Sequence, residues 1–145
     1  MLTPAETRTF FRQDSLHLTR LRQLVAQYGW PGRAEVGRTG SEALFLLLLH
    51  SDNAAVLAEF LPAVQRSVQQ GQTEAKSLVY LTDRLAMRQG KPQQYGTQFQ
   101  QNDQTHLLEV YSMEKPDQVD VRRYYVGLMP LTVYVRLANG QRPVR

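Results

Sequence analysis

The chain has 145 residues, a formal net charge of +4 and no cysteine, so disulfides and thiol chemistry are excluded. Its composition, 42% hydrophobic and 21% charged, is typical of a soluble globular protein, and we expect one domain over residues 1–145. The longest apolar run, residues 43–49, is too short to span a membrane, and residues 1–20 lack the apolar block of a secretory signal, which predicts a cytoplasmic protein. Basic residues are spread over both halves, which disfavours a nucleic-acid partner.

The first half of the chain predicts helices around one apolar segment. Apolar residues recur every three or four positions over residues 3–28, as in an amphipathic helix that stops at Gly29. A glycine-rich loop is expected to follow as far as Gly40. The next helix is apolar on every side over residues 43–49 and must be enclosed by its neighbours, so we expect it at the centre of the fold.

Two more helices and a hairpin are predicted next. Asp52 or Asn53 is the expected N-cap of the first helix, which stops at Gly71, and Pro62 is expected to kink or break it. The second helix covers residues 74–89. After the second helix, two short extended runs separated by polar residues predict a β-hairpin over about residues 93–113.

The C-terminal segment predicts two short helices. The first covers residues 116–127, with Asp117 as its N-cap and Asp120 three residues on in a box-like arrangement. The second covers residues 131–138, and residues 139–145 are expected to fray. The predicted fold is therefore mainly α: a compact helical bundle around one buried apolar helix, with a small β-hairpin in the C-terminal half.

Several short motifs together resemble a bacterial family of unknown function. They are Asp14 ahead of Arg20-Leu21, Gly29-Trp30-Pro31, His50 ahead of Asp52, Asp83-Arg84, Gln94-Tyr95-Gly96-Thr97-Gln98, Arg122-Arg123, and Gly127-Leu128 with Pro130-Leu131. The resemblance extends from about residue 10 to residue 135 and implies no particular activity, ligand or mechanism. The chain departs from the family pattern at His17, where Asn is expected, and at Ser51, where Ala is expected. An essential role for His17 is therefore disfavoured.

Polar residues at positions where burial is predicted form a candidate site. A buried charge without a partner costs several kcal/mol, so we expect these side chains to meet in one cluster. In that cluster, Asp14 or Asp83 would bond to an arginine, which would be Arg84, Arg122 or Arg123. As a site, the cluster would use His50 and Asp83 as catalytic residues, with His50 as general acid or base. The ligand-binding residues would be Asp14, Trp30, Arg84, Tyr95, Gln98, Arg122 and Arg123.

Two interpretations of this cluster stay open. In the first, it binds a small polar or anionic ligand and possesses acid–base chemistry centred on His50. In the second, the same residues are a structural network in a non-catalytic protein-interaction module, whose working surface is the hairpin or the Trp30 loop. The chain has three histidines and no paired metal-binding motif, so neither a metal nor another cofactor is predicted.

Overall fold

The computed structural model describes the backbone of residues 4–140 and the side chains of residues 15–140. Within this part, the helices are α1 (Pro4–Tyr28), α2 (Arg33–His50), α3 (Ala54–Gln69), α4 (Ala75–Arg88), α5 (Val119–Tyr125) and α6 (Leu131–Ala138). Strands β1 (Phe99–Gln101) and β2 (Leu108–Val110) lie between α4 and α5, and a 3₁₀ turn, Pro116–Gln118, precedes α5. The prediction of a mainly helical fold with one hairpin in the C-terminal half is confirmed.

The chain forms two compact units, an N-terminal unit that ends at Glu74 and a C-terminal unit that begins at Ala75. The single domain expected from the length of the chain stays a prediction. The buried apolar side chains of the N-terminal unit are Leu21, Trp30, Phe45, Leu48, Leu57, Phe60, Ala63 and Val64. On its surface, Arg22 of α1 holds both carboxylate oxygens of Glu59 of α3, at 2.8 Å from Nε and 2.9 Å from Nη2. This hydrogen bonding lowers the pKa of Glu59.

Helix α2 begins at Arg33, so the expectation of a loop as far as Gly40 is wrong. Its first turn is held by partners that the local sequence does not reveal. The backbone N–H of Arg33 donates to the carbonyl oxygen of Gln72 at 2.9 Å, and the Glu35 carboxylate accepts the N–H of Gly32 at 2.9 Å. Further along α2, Gly37 has a non-helical backbone conformation, with φ +70°, and interrupts the helix.

The apolar stretch of α2 is buried on one face only. Phe45 and Leu48, three residues apart, are buried, whereas Leu46 is 51% exposed. The expectation that neighbours enclose this helix on every side is therefore wrong. His50, at the end of α2, is exposed.

Helix α3 is capped by Asn53, one of the two residues that the sequence offers for this position. The Asn53 side chain accepts the backbone N–H of Ala55 at 2.9 Å, which satisfies one of the free donors at the helix start. The helix continues through Pro62 to Gln69, so the proline does not end it.

The C-terminal unit is built around the hairpin. Strands β1 and β2 are antiparallel, with Phe99 opposite Val110, and an isolated parallel bridge joins Gln93 to Met113 at the base of the segment. Asn139 holds α6 to β2, since its side chain accepts the N–H of Leu108 at 2.7 Å and donates to the carbonyl of the same residue at 3.0 Å. The fraying expected for residues 139–145 stays a prediction, since residues 141–145 lie outside the described residues.

The two aspartates around α5 differ from their predicted roles. Asp117 lies inside the 3₁₀ turn, and the residue before this turn is Lys115, which makes no side-chain cap. Asp120 accepts the backbone N–H of Leu131 at 2.7 Å and so satisfies a donor at the start of α6 rather than of α5. Helix α6 has the predicted bounds, Leu131–Ala138.

Candidate functional site

Asp83 of α4 is fully buried and organises the polar cluster of the C-terminal unit. Its carboxylate accepts the backbone N–H groups of Gln94 at 2.8 Å and of Tyr95 at 3.1 Å. It also accepts the N–H and the hydroxyl of Thr97, both at 3.0 Å. Residues 94–97, here named the 94–97 turn, therefore fold around one carboxylate. The expected arginine partner of Asp83 is replaced by these donors, because converging N–H groups compensate a buried anion without a counter-charge.

Arg123 of α5 is 1% exposed and approaches the same turn. Its Nε donates to the carbonyl oxygen of Met129 and its Nη1 donates to that of Tyr95, each at 2.6 Å. Burial lowers the pKa of Arg123, and the neighbouring Tyr134 acts in the opposite direction. The guanidinium is thus compensated by carbonyl oxygens and by an aromatic ring rather than by a carboxylate contact.

Arg122 holds the carbonyl next to the one that Arg123 holds. Its Nε donates to the carbonyl oxygen of Gln94 at 2.7 Å, and its Nη2 donates to those of Glu114 at 2.6 Å and Lys115 at 3.2 Å. Two consecutive arginines of α5 therefore bind two consecutive carbonyls of the 94–97 turn. Asp83 accepts hydrogen bonds from the N–H groups of this turn, and the two arginines donate hydrogen bonds to its carbonyl oxygens.

Gln93 is a fully buried member of the network that the sequence analysis missed. Its Oε1 accepts the N–H of Gln98 at 3.0 Å, and its Nε2 donates to the carbonyls of Gln98 at 3.1 Å and Tyr111 at 3.0 Å. The predicted Gln98 side chain donates to the Thr97 hydroxyl at 2.9 Å. Nothing in the sequence distinguishes Gln93 from Gln94, which contributes only backbone groups to these contacts.

Tyr134 of α6 also contacts the 94–97 turn. Its hydroxyl lies 3.4 Å from the carbonyl oxygen of Thr97 and 3.5 Å from the Tyr80 hydroxyl. Burial raises the pKa of Tyr134, and the hydrogen bond with Tyr80 raises it further. Phe99 packs against the Tyr134 ring, with the ring centres 5.1 Å apart.

The structure brings together Asp83, Gln98, Arg122, Arg123 and the backbone of Tyr95, all within the C-terminal unit. Arg84 is half-buried beside Asp83 on α4. The other candidates belong to the N-terminal unit: His50 is exposed and Trp30 is 6% exposed. The side chain of Asp14 lies outside the described residues. A grouping of His50 with Asp83 and the catalytic and ligand-binding roles of the set stay predictions.

Each unit has a concave surface. In the C-terminal unit, an open groove of about 330 Å³ is lined by Thr82, Leu85, Ala86, Gln89, Lys91, Pro92, Gln94 and Glu114. In the N-terminal unit, a smaller cavity adjoins Trp30, whose ring meets that of Phe60 edge-on with the centres 6.1 Å apart. Among residues 15–140, no three histidine or acidic side chains are arranged to hold a metal ion.

These observations define a small helical protein in which one aspartate and two arginines hold a loop that carries a β-hairpin. Residues 3–143 match the family of unknown function DUF6624, and the chain belongs to this family. The match covers nearly the whole chain, and membership of a family of unknown function was the sequence-based expectation. No curated protein and no solved structure matches the chain. In the described part of the chain, no helix combines the length and the apolar character needed to cross a bilayer.

Proposed function

We propose that the protein is a non-catalytic protein-interaction module whose binding face lies on α5. The observation that carries this proposal is the exposure of two consecutive tyrosines, Tyr124 at 79% and Tyr125 at 81%. Their rings meet edge-on with the centres 5.7 Å apart. Single exposed apolar side chains are common, but adjoining aromatic rings at a protein surface are characteristic of interaction sites.

The hydrogen bonds of Asp83, Arg122 and Arg123 support a structural role for these three predicted site residues. A general acid or an anion-binding arginine needs a hydrogen-bonding group that is free to contact a ligand. The Asp83 carboxylate instead accepts from the 94–97 turn with both oxygens, and Arg122 and Arg123 donate to carbonyl oxygens. Acid–base chemistry at His50 on a small anionic ligand is the alternative, and no contact of the described residues favours it.

The chemistry of the face indicates what it binds. Val121 precedes Tyr124 and Tyr125 by three and four residues, so the three side chains share one side of α5, and Val121 is also exposed. Asp120, one turn before Tyr124, is exposed as well, and so is Asp117 in the 3₁₀ turn that precedes α5. The face is therefore aromatic at one end and acidic at the other.

An arginine-bearing segment of another protein fits this combination. Arginine stacks on tyrosine rings and pairs with carboxylates, and an apolar side chain next to it would cover Val121. Asp120 uses one carboxylate oxygen for the N–H of Leu131, so it is already oriented by α6. We therefore commit to a basic, partly apolar peptide segment as the partner.

Fluorescence anisotropy with a labelled peptide of alternating arginine and leucine tests the proposal. We expect saturable binding that is abolished by the double substitution Tyr124→Ser and Tyr125→Ser. Asp117→Asn should weaken binding about two- to fivefold at low salt, and added salt should narrow the difference in affinity between this variant and the unmodified protein. The matched control is Tyr28→Ser, which removes an exposed tyrosine of the N-terminal unit and should leave peptide binding unchanged.

Equal binding by the double variant and the unmodified protein would overturn the proposal, as would equal binding of a peptide with glutamate in place of arginine. Self-association of the protein that competes with the peptide and is lost in the double variant would assign the face to a second copy instead. Because both tyrosines are exposed, the double variant should unfold at the same temperature as the unmodified protein.

A further inference from the structure

A cavity of about 130 Å³ in the N-terminal unit has the features of a small ligand site. It lies where the end of α1, the Gly29–Gly32 turn, the start of α2 and the end of α3 meet. Trp30, Glu35, Arg66 and Gln70 are among the residues that line it. It belongs to the N-terminal unit, whereas the proposed interaction face lies on α5 of the C-terminal unit.

The walls of this cavity are held in place by contacts of their own. The N–H of Arg33 donates to the carbonyl of Gln72, and a Cβ added at Gly32 would lie 2.5 Å from the Cβ of Gln72. At the end of α3, the hydroxyls of Ser67 and Thr73 are 2.8 Å apart and buried. Because these contacts fix the cavity walls in advance, a ligand would bind without the entropic cost of ordering them.

Two opposite charges line the cavity without pairing with each other. Both side chains are exposed, and among the described residues Arg66 and Glu35 do not form an ion pair with each other. Glu35 uses one oxygen to accept the N–H of Gly32 at 2.9 Å, which orients the carboxylate. A cation and an anion at separate places on one small cavity match a ligand that has both charges.

Trp30 forms part of the cavity wall. Its indole Nε1–H is enclosed by neighbouring atoms and has no hydrogen-bond partner among the described residues. This donor is out of reach of a ligand in the cavity, so Trp30 serves as a reporter of binding and not as a hydrogen-bonding group of the site.

We propose that this cavity binds a small zwitterion of the α-amino acid class. Arg66 would bind the carboxylate and Glu35 would bind the ammonium group. The size is suitable for a ligand of roughly six heavy atoms, since an engineered cavity of about 150 Å³ holds benzene. L-alanine is a ligand of this size and charge.

Trp30 is the only tryptophan of the chain, so its fluorescence reports directly on this cavity. We expect L-alanine to change the Trp30 emission saturably. Acetate and ethylammonium, which each have one of the two charges, should bind at least about tenfold more weakly at equal ionic strength. Arg66→Gln should weaken alanine binding by at least about tenfold, whereas Arg33→Gln, at an exposed arginine outside the cavity lining, should leave it unchanged.

Glu35→Gln is a second variant, because a glutamine oxygen still accepts the N–H of Gly32 while the charge is lost. This variant should no longer distinguish L-alanine from propionate. The proposal is overturned if L-alanine leaves the emission unchanged, if acetate matches L-alanine, or if the Arg66→Gln and Arg33→Gln variants respond alike.

Discussion

The guanidinium carbon of Arg123 lies 4.8 Å from the centre of the Tyr134 ring, and both side chains donate to carbonyl oxygens of the 94–97 turn. A cation over an aromatic face is stabilised by the negative charge of that face, and the effect grows when water is excluded. The pair therefore lets a fully buried arginine remain charged while it holds Tyr95 and Met129.

Replacing Arg123 with lysine should destabilise the protein although the charge is kept. Lysine has one ammonium group and cannot donate to the carbonyls of Tyr95 and Met129 with the geometry of the guanidinium. We expect the free energy of unfolding to fall by about 1–3 kcal/mol, measured by urea denaturation. Arg136→Lys, at an exposed arginine of α6, is the matched control and should have almost no effect. Equal unfolding midpoints for the two variants would contradict this account.

Asp83→Asn should lower the stability of the protein strongly, although the two side chains have nearly the same shape. An amide presents an NH₂ group where the structure needs an acceptor, so at least one of the N–H groups of Gln94, Tyr95 and Thr97 loses its partner. The expected loss is about 2–4 kcal/mol in the free energy of unfolding. Asp103→Asn, in the exposed hairpin loop, is the control. A stable Asp83→Asn variant would favour the interpretation of Asp83 as a catalytic residue.

Gly96→Ala and Gly90→Ala separate backbone strain from packing. Both glycines have positive φ, +69° for Gly96 and +67° for Gly90, so both substitutions strain the backbone. Only at Gly96 would the new Cβ also meet other atoms, with Leu131 Cδ1 and Met113 Sδ each at 2.9 Å. We expect Gly96→Ala to cost at least about 1 kcal/mol more than Gly90→Ala. Thermal denaturation of the two variants measures the difference, and equal melting temperatures would be the contrary result.

Tyr134 should make stability depend on alkaline pH. Its pKa is raised in the folded protein, so the folded state keeps the proton that the unfolded state loses above about pH 10. The contribution of Tyr134 to stability is therefore complete below the unfolded pKa and declines as the pH rises above it. Urea denaturation at several pH values between neutral and alkaline tests this expectation.

The matched variant for this experiment is Tyr134→Phe, which keeps the ring over Arg123 and removes the ionisable hydroxyl. The difference in the free energy of unfolding between the two proteins should be constant near neutral pH and shift in favour of the variant at alkaline pH. A difference that does not depend on pH would contradict the role given to burial of the hydroxyl.

Helix positions were predictable from the sequence because their signals are local. The bounds of α6 follow from turn residues and periodicity alone, and the cap of α3 is one of the two residues, Asp52 and Asn53, that the sequence offers. The start of α2 was missed because Gln72, almost forty residues away, supplies the acceptor for Arg33. A glycine-rich segment can be helical when a distant residue satisfies its free N–H groups.

In the candidate site, too, some residues were predictable from the sequence whereas their contact partners were not. Charge and predicted burial pointed to Asp83, Arg122 and Arg123, and the structure does place them in one network. Their partners were not predictable, because each charge is compensated by backbone N–H or carbonyl groups, which every residue has. Burial was predicted correctly for Asp83 and Arg123 but not for His50, which is exposed, and only the fold shows which peptide groups face the two buried charges.

The bridge between Gln93 and Met113 fixes the base of the hairpin, and Asn139 at the end of α6 holds the hairpin at Leu108, closer to its tip. The two ends of the segment are tied at their base, where Gln93 donates to Ser112 and accepts from Glu114. Residues added or removed at the exposed tip near Asp103 would lengthen or shorten the hairpin without moving α4 or α5. A change in the length of this tip would therefore leave the base of the hairpin and its contact with α6 in place.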